Sequence, residues 1–296
     1  MKAYKLLTLI AAVLLVAIPV AAQSSAIVDK SASCSMTTLR GSYGGFAQGT
    51  ILVQLPGMPA PPFPWAGVGL HNFDGSGNWS VTYAMGIGGA VVPWGAQMIG
   101  TYTISRDCTL AIQGTDMPTG SPVAITGTIS GEGLLQEVHF MYAVPYTFAS
   151  GMLRKTPRGG CSQRTFRGTY AVFGQGTDVD VAFPGFPPPP FPMGHVGKLT
   201  ANGLGYFSGA AMEDMDGFPF PATSAASYTV KADCSVSGTI ADSALGLTIY
   251  VPFQGVITGE GQFQEIHIIL TNPGSVFADT WKTDCQMCAT AVYKGE

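Results

Sequence analysis

Five blocks of this 296-residue chain recur in the same order at an offset of 126 to 128 residues. Cys34-Ser-Met-Thr-Thr-Leu-Arg-Gly-Ser-Tyr43 matches Cys161-Ser-Gln-Arg-Thr-Phe-Arg-Gly-Thr-Tyr170, and Phe46-Ala-Gln-Gly-Thr50 matches Phe173-Gly-Gln-Gly-Thr177. The Pro-rich stretches 56–64 and 184–192 correspond, as do Tyr102 to Cys108 with Tyr228 to Cys234. Gly131-Glu-Gly-Leu-Leu-Gln-Glu-Val-His139 matches Gly259-Glu-Gly-Gln-Phe-Gln-Glu-Ile-His267. A tandem duplication means that one fold must serve twice and that each copy must close a core of its own. The units span 34–156 and 161–283. The short polar join between them predicts that the two repeats pack on each other.

Within a unit, short runs rich in Thr, Val, Ile, Tyr and Phe alternate with turn signals about every ten residues, the pattern of a sandwich or barrel. Few charged residues (11%) and many glycines (39) agree with an all-β chain. The first unit reads as strands near 42–54, 66–73, 78–88, 96–105, 108–115, 122–130, 133–142 and 145–153. Asp74-Gly-Ser-Gly77 is a tight hairpin signal, and Asn202-Gly203 stands in its place in the second unit. Eight consecutive strands with short turns close into an antiparallel up-and-down barrel, which holds one small ligand or fills with side chains. Gly44-Gly45, Gly86 and Gly88-Gly89 suit bends and barrel corners.

The order Leu39-Arg-Gly-Ser-Tyr43, a Pro-rich stretch, Phe73-Asp-Gly-Ser-Gly77, then Gly100-Thr-Tyr-Thr103 and Asp107-Cys108 resembles a group of secreted domains of the allene-oxide-cyclase and dirigent type, within the calycin-like architecture. The resemblance covers most of both repeats. It implies a β-barrel fold and, at the level of fold alone, a cyclase or isomerase activity. It brings no motif that places a cyclase's catalytic residues on this chain.

A charged start, an apolar run from Leu6 to Ala17 and small residues before Gln23 form a secretory signal peptide over 1–22, followed by a linker over 23–33. Cleavage after Ala22 removes Lys2 and Lys5 and no acid, taking the formal charge from −4 to −6. The expected location is therefore periplasmic or extracellular, with no membrane span after cleavage. All six cysteines lie beyond the cleavage site, as an oxidising compartment allows. Repeat symmetry pairs Cys34 with Cys108 and Cys161 with Cys234. The tail, 284–296, carries Cys285-Gln-Met-Cys288, read as a local disulfide because the thioredoxin context of a redox motif is missing. Scattered Lys and Arg argue against nucleic acid. An outer-membrane barrel is disfavoured by the Pro-rich inserts and the disulfide staples, despite a positive mean hydropathy.

Glu137-Val-His139 and Glu265-Ile-His267 are the weak catalytic candidates, because strand alternation puts each Glu and His on one face. Val138, Phe140 and Tyr142 make the opposite face the core side, so this face points to water or to the other barrel. Gln136 and Gln264 fall on the core side and are ligand-binding candidates. So are Phe63, Trp65, Phe186 and Phe191 of the Pro-rich segments, as lids, plugs or docking surfaces. His71 and His195 do not align in the repeat and read as surface or hydrogen-bonded residues. Asp178, Asp180, Glu213, Asp214 and Asp216 read as solvated loop acids. No cofactor or metal motif is present in the sequence. The expected function is binding of a small apolar or amphipathic ligand, or of a surface partner, rather than catalysis. A cyclase-type enzyme and a structural or adhesive envelope protein are the alternatives.

Overall fold

The computed structural model describes residues 33–53, 61–179 and 189–284, and each unit closes there into an eight-stranded antiparallel barrel. The first barrel runs β1 (Arg40–Ile51), β2 (Phe63–Asp74), β3 (Asn78–Ile87), β4 (Ala90–Ile104), β5 (Thr109–Asp116), β6 (Pro122–Ser130), β7 (Glu137–Tyr142) and β8 (Thr147–Lys155). The second runs β9 (Arg167–Asp178), β10 (Phe191–Asn202), β11 (Tyr206–Met215), β12 (Phe218–Val230), β13 (Ser235–Ala244), β14 (Leu247–Thr258), β15 (Glu265–Leu270) and β16 (Ser275–Thr283). Each strand pairs with its chain neighbours, and the last closes on the first, so both barrels have up-and-down topology. Closure leaves no edge strand in either barrel among the described residues.

The repeated blocks seal one end of each barrel. Leu39 and Phe166 are wholly buried there. Tyr102 donates to the Leu39 carbonyl at 2.9 Å, and Tyr228 donates to that of Phe166 at 2.6 Å. Disulfides Cys34–Cys108 and Cys161–Cys234 tie the entry segment of each unit to the fifth strand's approach. The hairpin after β2 turns on Asp74, whose carboxylate accepts from the backbone N–H groups of Ser76, Gly77 and Asn78. In the second unit Asn202 takes over, accepting from Leu204 and Tyr206.

Several expectations change in detail. β4 starts at Ala90, not near 96, because Gly88 and Gly89 adopt positive φ and close a two-residue hairpin. Residues 133–135 form a 3-10 turn, so β7 starts at Glu137. The Pro-rich segments end inside the ladders: Pro64 and Pro192 stand opposite Thr50 and Thr177 near the starts of β2 and β10, where a missing N–H is tolerated. The signal peptide over 1–22, most of the linker, Phe186, Asp180 and the tail cysteines Cys285 and Cys288 lie outside the described residues.

The barrels touch through non-equivalent faces. Ala66, Val68 and Ala84 of the first, with Phe46 beside them, pack against Ile269, Val276 and Ala278 of the second. Gly44 thus serves close approach between barrels rather than a barrel corner. A Cβ at Gly44 would lie 2.7 Å from the Thr258 methyl and 2.9 Å from a Val256 methyl. Gly44→Val is therefore expected to lower stability by about 2 kcal/mol through overpacking. Ala171→Val, on an exposed site at the matching position of the repeat, is expected to be neutral. Urea unfolding of the two variants decides, and equal midpoints would contradict the close-approach role.

Candidate functional site

The two barrels share one frame and differ in what points inward. One ladder row of the first barrel reads Gly151, Ala47, Gly67, Met85 across β8, β1, β2 and β3. The same row of the second reads Asp279, Gly174, His195, Glu213 across β16, β9, β10 and β11. The row above replaces Trp65 by Met193, and the row below replaces Tyr83 by Ala211. On the facing strands, the pair Met98 and Asp116 becomes Ser224 and Asp242.

These exchanges decide whether a barrel is full. In the first, Trp65 packs edge-on to Tyr142 at 5.2 Å, and Tyr83 donates to Asp116, leaving a space of about 30 Å³. In the second, a cup of about 290 Å³ opens at the mouth, and a chamber of about 40 Å³ lies below it. His195, Glu213, Ser224, Ile240 and Asp279 line both. The cup is near the lower end of the size range for small-molecule sites, and the chamber is large enough for water.

Gly174 makes the polar floor possible. It stands between His195 and Asp279 in the ladder, and a Cβ there would meet the Phe277 ring at 2.5 Å and the Asp279 carboxyl carbon at 3.1 Å. Without that Cβ, His195 Nε2 reaches Asp279 Oδ2 at 2.9 Å across β9. Trp281 donates to the same oxygen at 2.7 Å. Asp279 Oδ1 is buried and has no hydrogen-bond partner among the described residues. Opposite, Ser224 donates to Asp242 at 2.9 Å. Burial, then the charge of Asp242 and a hydrogen bond with it, push the Glu213 carboxyl up to about 7. Burial opposes protonation of His195, but the Asp279 carboxylate together with the charges of Glu213 and Asp242 outweighs it and holds the imidazole above its ordinary value. Near neutral pH the floor therefore contains groups able to give and take protons.

The acids expected in loops are corrected here. Glu213 and Asp178 lie on β11 and β9 and line the cup, because β11 continues to Met215 before the hairpin turns. His71 and His195 also sit on inward faces. His71 is buried and accepts from Trp79 Nε1 at 3.1 Å. Among the other ligand-binding candidates, Phe191 packs with Met215 and Phe220 beside the cup. Phe63 and Trp65 are buried in the first barrel. Gln136 accepts from Tyr43 and donates to the Thr38 carbonyl. Gln264 does the same with Tyr170 and Thr165. These two amides brace the sealed ends and do not line the cup.

Glu137, His139, Glu265 and His267 all lie on outward faces. His139 is exposed and 3.1 Å from Glu137, whereas Glu265 and His267 are buried against the first barrel. Arg154 binds both Glu137 and Glu265, and the Phe46 ring lies 4.9 Å from that of His267. Among the described residues, no three His, Cys, Asp or Glu side chains are spaced to hold a metal ion.

The row carrying the site left a trace in the sequence. His195, Glu213 and Asp279 align with Gly67, Met85 and Gly151, so ionisable residues replace neutral ones at inward positions. The tandem eight-stranded antiparallel barrels are as expected, but no protein-family model and no curated protein matches this chain, so the resemblance to allene-oxide-cyclase and dirigent domains has no support from known proteins.

Proposed function

We propose that this is an exported tandem barrel that holds a small amphipathic molecule in its second barrel, with the first barrel serving as a filled scaffold. The observation that carries this reading is the exchange of inward residues between otherwise superposable rows, which gives one barrel a cup and leaves the other packed. The cup wall is apolar, formed by residues such as Met193, Met215, Phe220, Val251, Leu270 and Phe277. Its polar groups converge on the floor, the usual arrangement of a site that buries a ligand's body and orients its end. Two disulfides and the apolar N-terminal run support export.

Met193→Trp restores the first barrel's residue and fills the cup. Binding of the neutral fluorophore N-phenyl-1-naphthylamine is expected at one site per wild-type chain and to weaken at least tenfold in the variant. Absence of binding to wild type, or equal binding by both proteins, would remove the basis of this reading. Native mass spectrometry and organic extraction of the secreted protein then identify a resident molecule.

The floor chemistry favours a second reading, proton transfer on the bound molecule. His195 beside Asp279, and Glu213 with a pKa of about 7, supply both an acid and a base near neutral pH. Incorporation of deuterium from D₂O into the extracted molecule, lost in Glu213→Gln, would mark the protein as an enzyme.

A further inference from the structure

We infer that the ligand of the second barrel is an apolar molecule ending in a protonated amine, an inference that rests on the cup being a binding site. The charge lining the cup is one-sided. Asp178 on β9, Glu213 and Asp214 on β11, Asp242 on β13 and Asp279 on β16 supply five carboxyl groups. Among the described residues, His195 on β10 is the one basic residue of the lining, and β12, β14 and β15 add no charged side chain. Neither Lys nor Arg of the described residues lines the cup. The imidazole is bonded to Asp279 Oδ2 and also feels the charges of Glu213 and Asp242, but it is one base against five carboxyl groups, so the lining stays acidic.

The second observation is the buried Oδ1 of Asp279, which has no partner among the described residues and belongs to a side chain only 3% exposed. An unpaired carboxylate oxygen away from water is costly, and a charge-assisted N–H donor is the partner that relieves it best. An alcohol brings a donor without charge. A carboxylate brings repulsion and no donor. The comparison with the first barrel points the same way. There the retained acid, Asp116, is satisfied by Tyr83 and Thr119, and the row that holds Asp279, His195 and Glu213 carries no ionisable residue. Acidity and open space therefore appear together, in one barrel.

Three eight-carbon probes separate the possibilities on the full mature chain: octylamine, 1-octanol and octanoate, measured by calorimetry and by displacement of N-phenyl-1-naphthylamine. Octylamine is expected to bind at least tenfold more tightly than octanol, and octanoate more weakly than either. Octylamine affinity should rise from pH 6 to pH 8.5, as Glu213 gives up its proton and the amine keeps its own. Asp279→Asn should collapse the preference for amine over alcohol. Asp242→Asn provides the same test if the first variant loses its thermal unfolding transition. Equal or tighter binding of octanol or octanoate overturns the amine and leaves the cup as a binding site. Binding of the fluorophore with no octylamine binding does the same. Failure of all four compounds to bind overturns the cup itself.

Discussion

Replacing Arg154 by Met is expected to lower the free energy of unfolding by about 3 kcal/mol and to let the two barrels unfold separately. Arg154 sits on the first barrel with its side chain only 16% exposed. Its guanidinium holds Glu137 of its own barrel and reaches Glu265 of the second at 2.8 Å. Glu265 is 4% exposed, and its other cationic partner is Lys282 at 2.9 Å, a side chain that is largely in water. Burial opposes ionisation of Glu137, and the Arg154 hydrogen bonds and charge outweigh it, holding that carboxyl below the usual range. Methionine keeps the apolar stem and removes the charge, so Glu265 is left buried with half of its compensation. The contact also includes the small apolar cluster of Ala66, Val68, Ala84, Ile269, Val276 and Ala278. Two backbone hydrogen bonds cross as well, Gly259 to the Lys155 carbonyl and Gly274 to that of Gly89. Pairing Arg154→Met with Glu265→Leu removes both charges together and should recover most of the loss. Urea unfolding followed by tryptophan fluorescence measures all three proteins. A single variant within 0.5 kcal/mol of wild type would mean that the ion pair does not hold the barrels together.

How far the sequence could be read depended on what a repeat preserves. The blocks that recur are the blocks that close a barrel: Leu39 and Phe166 at the sealed end, Tyr43 and Tyr170 on Gln136 and Gln264, the turn at Asp74 or Asn202, and the paired cysteines. Fold, strand number and these two disulfides followed from them. The cup did not, because it is built from residues that differ between repeats. Matching the blocks directs attention away from Gly151 against Asp279 or Met85 against Glu213. Glu213-Asp-Met-Asp216 also has the composition of a solvated turn, and only the ladder shows that β11 runs to Met215. The docking face was legible only as a choice, since strand alternation turned Glu137, His139, Glu265 and His267 either to water or to the other barrel. Glu137-Val-His139 and Glu265-Ile-His267 are nearly the same tripeptide, yet His139 is exposed and His267 is buried. Their environments differ because the contact is heterologous, a property of the assembled pair and not of either repeat.

Acidification from pH 6.5 to pH 4 is expected to destabilise the first barrel by about 3 kcal/mol through His71 alone. Burial lowers the pKa of His71 to about 3. The unfolded chain takes up this proton near pH 6.5, and the folded chain only near pH 3. Between those values the unfolded state binds more protons, so stability falls as pH falls, by about 1.4 kcal/mol per unit. His267 behaves alike: burial, then Lys282 and Arg154, lower its pKa to about 3. In the second barrel, however, Glu213 has a raised value of about 7, so the folded state binds the extra proton there and acid relieves it, whereas the contribution of His195, also raised, is already complete below its ordinary value. That offset has no counterpart at His71, which accepts from Trp79 Nε1 and stacks near Phe73. The repeat itself supplies the control, because the second barrel carries Leu199 and Phe207 at these two positions. His71→Leu with Trp79→Phe removes acceptor and donor together, so no buried polar group is orphaned. The double variant should flatten the dependence of unfolding free energy on pH between 4 and 6 by about 1.4 kcal/mol per unit. An unchanged slope would mean that His71 is protonated in the folded barrel, with Trp79 no longer its donor.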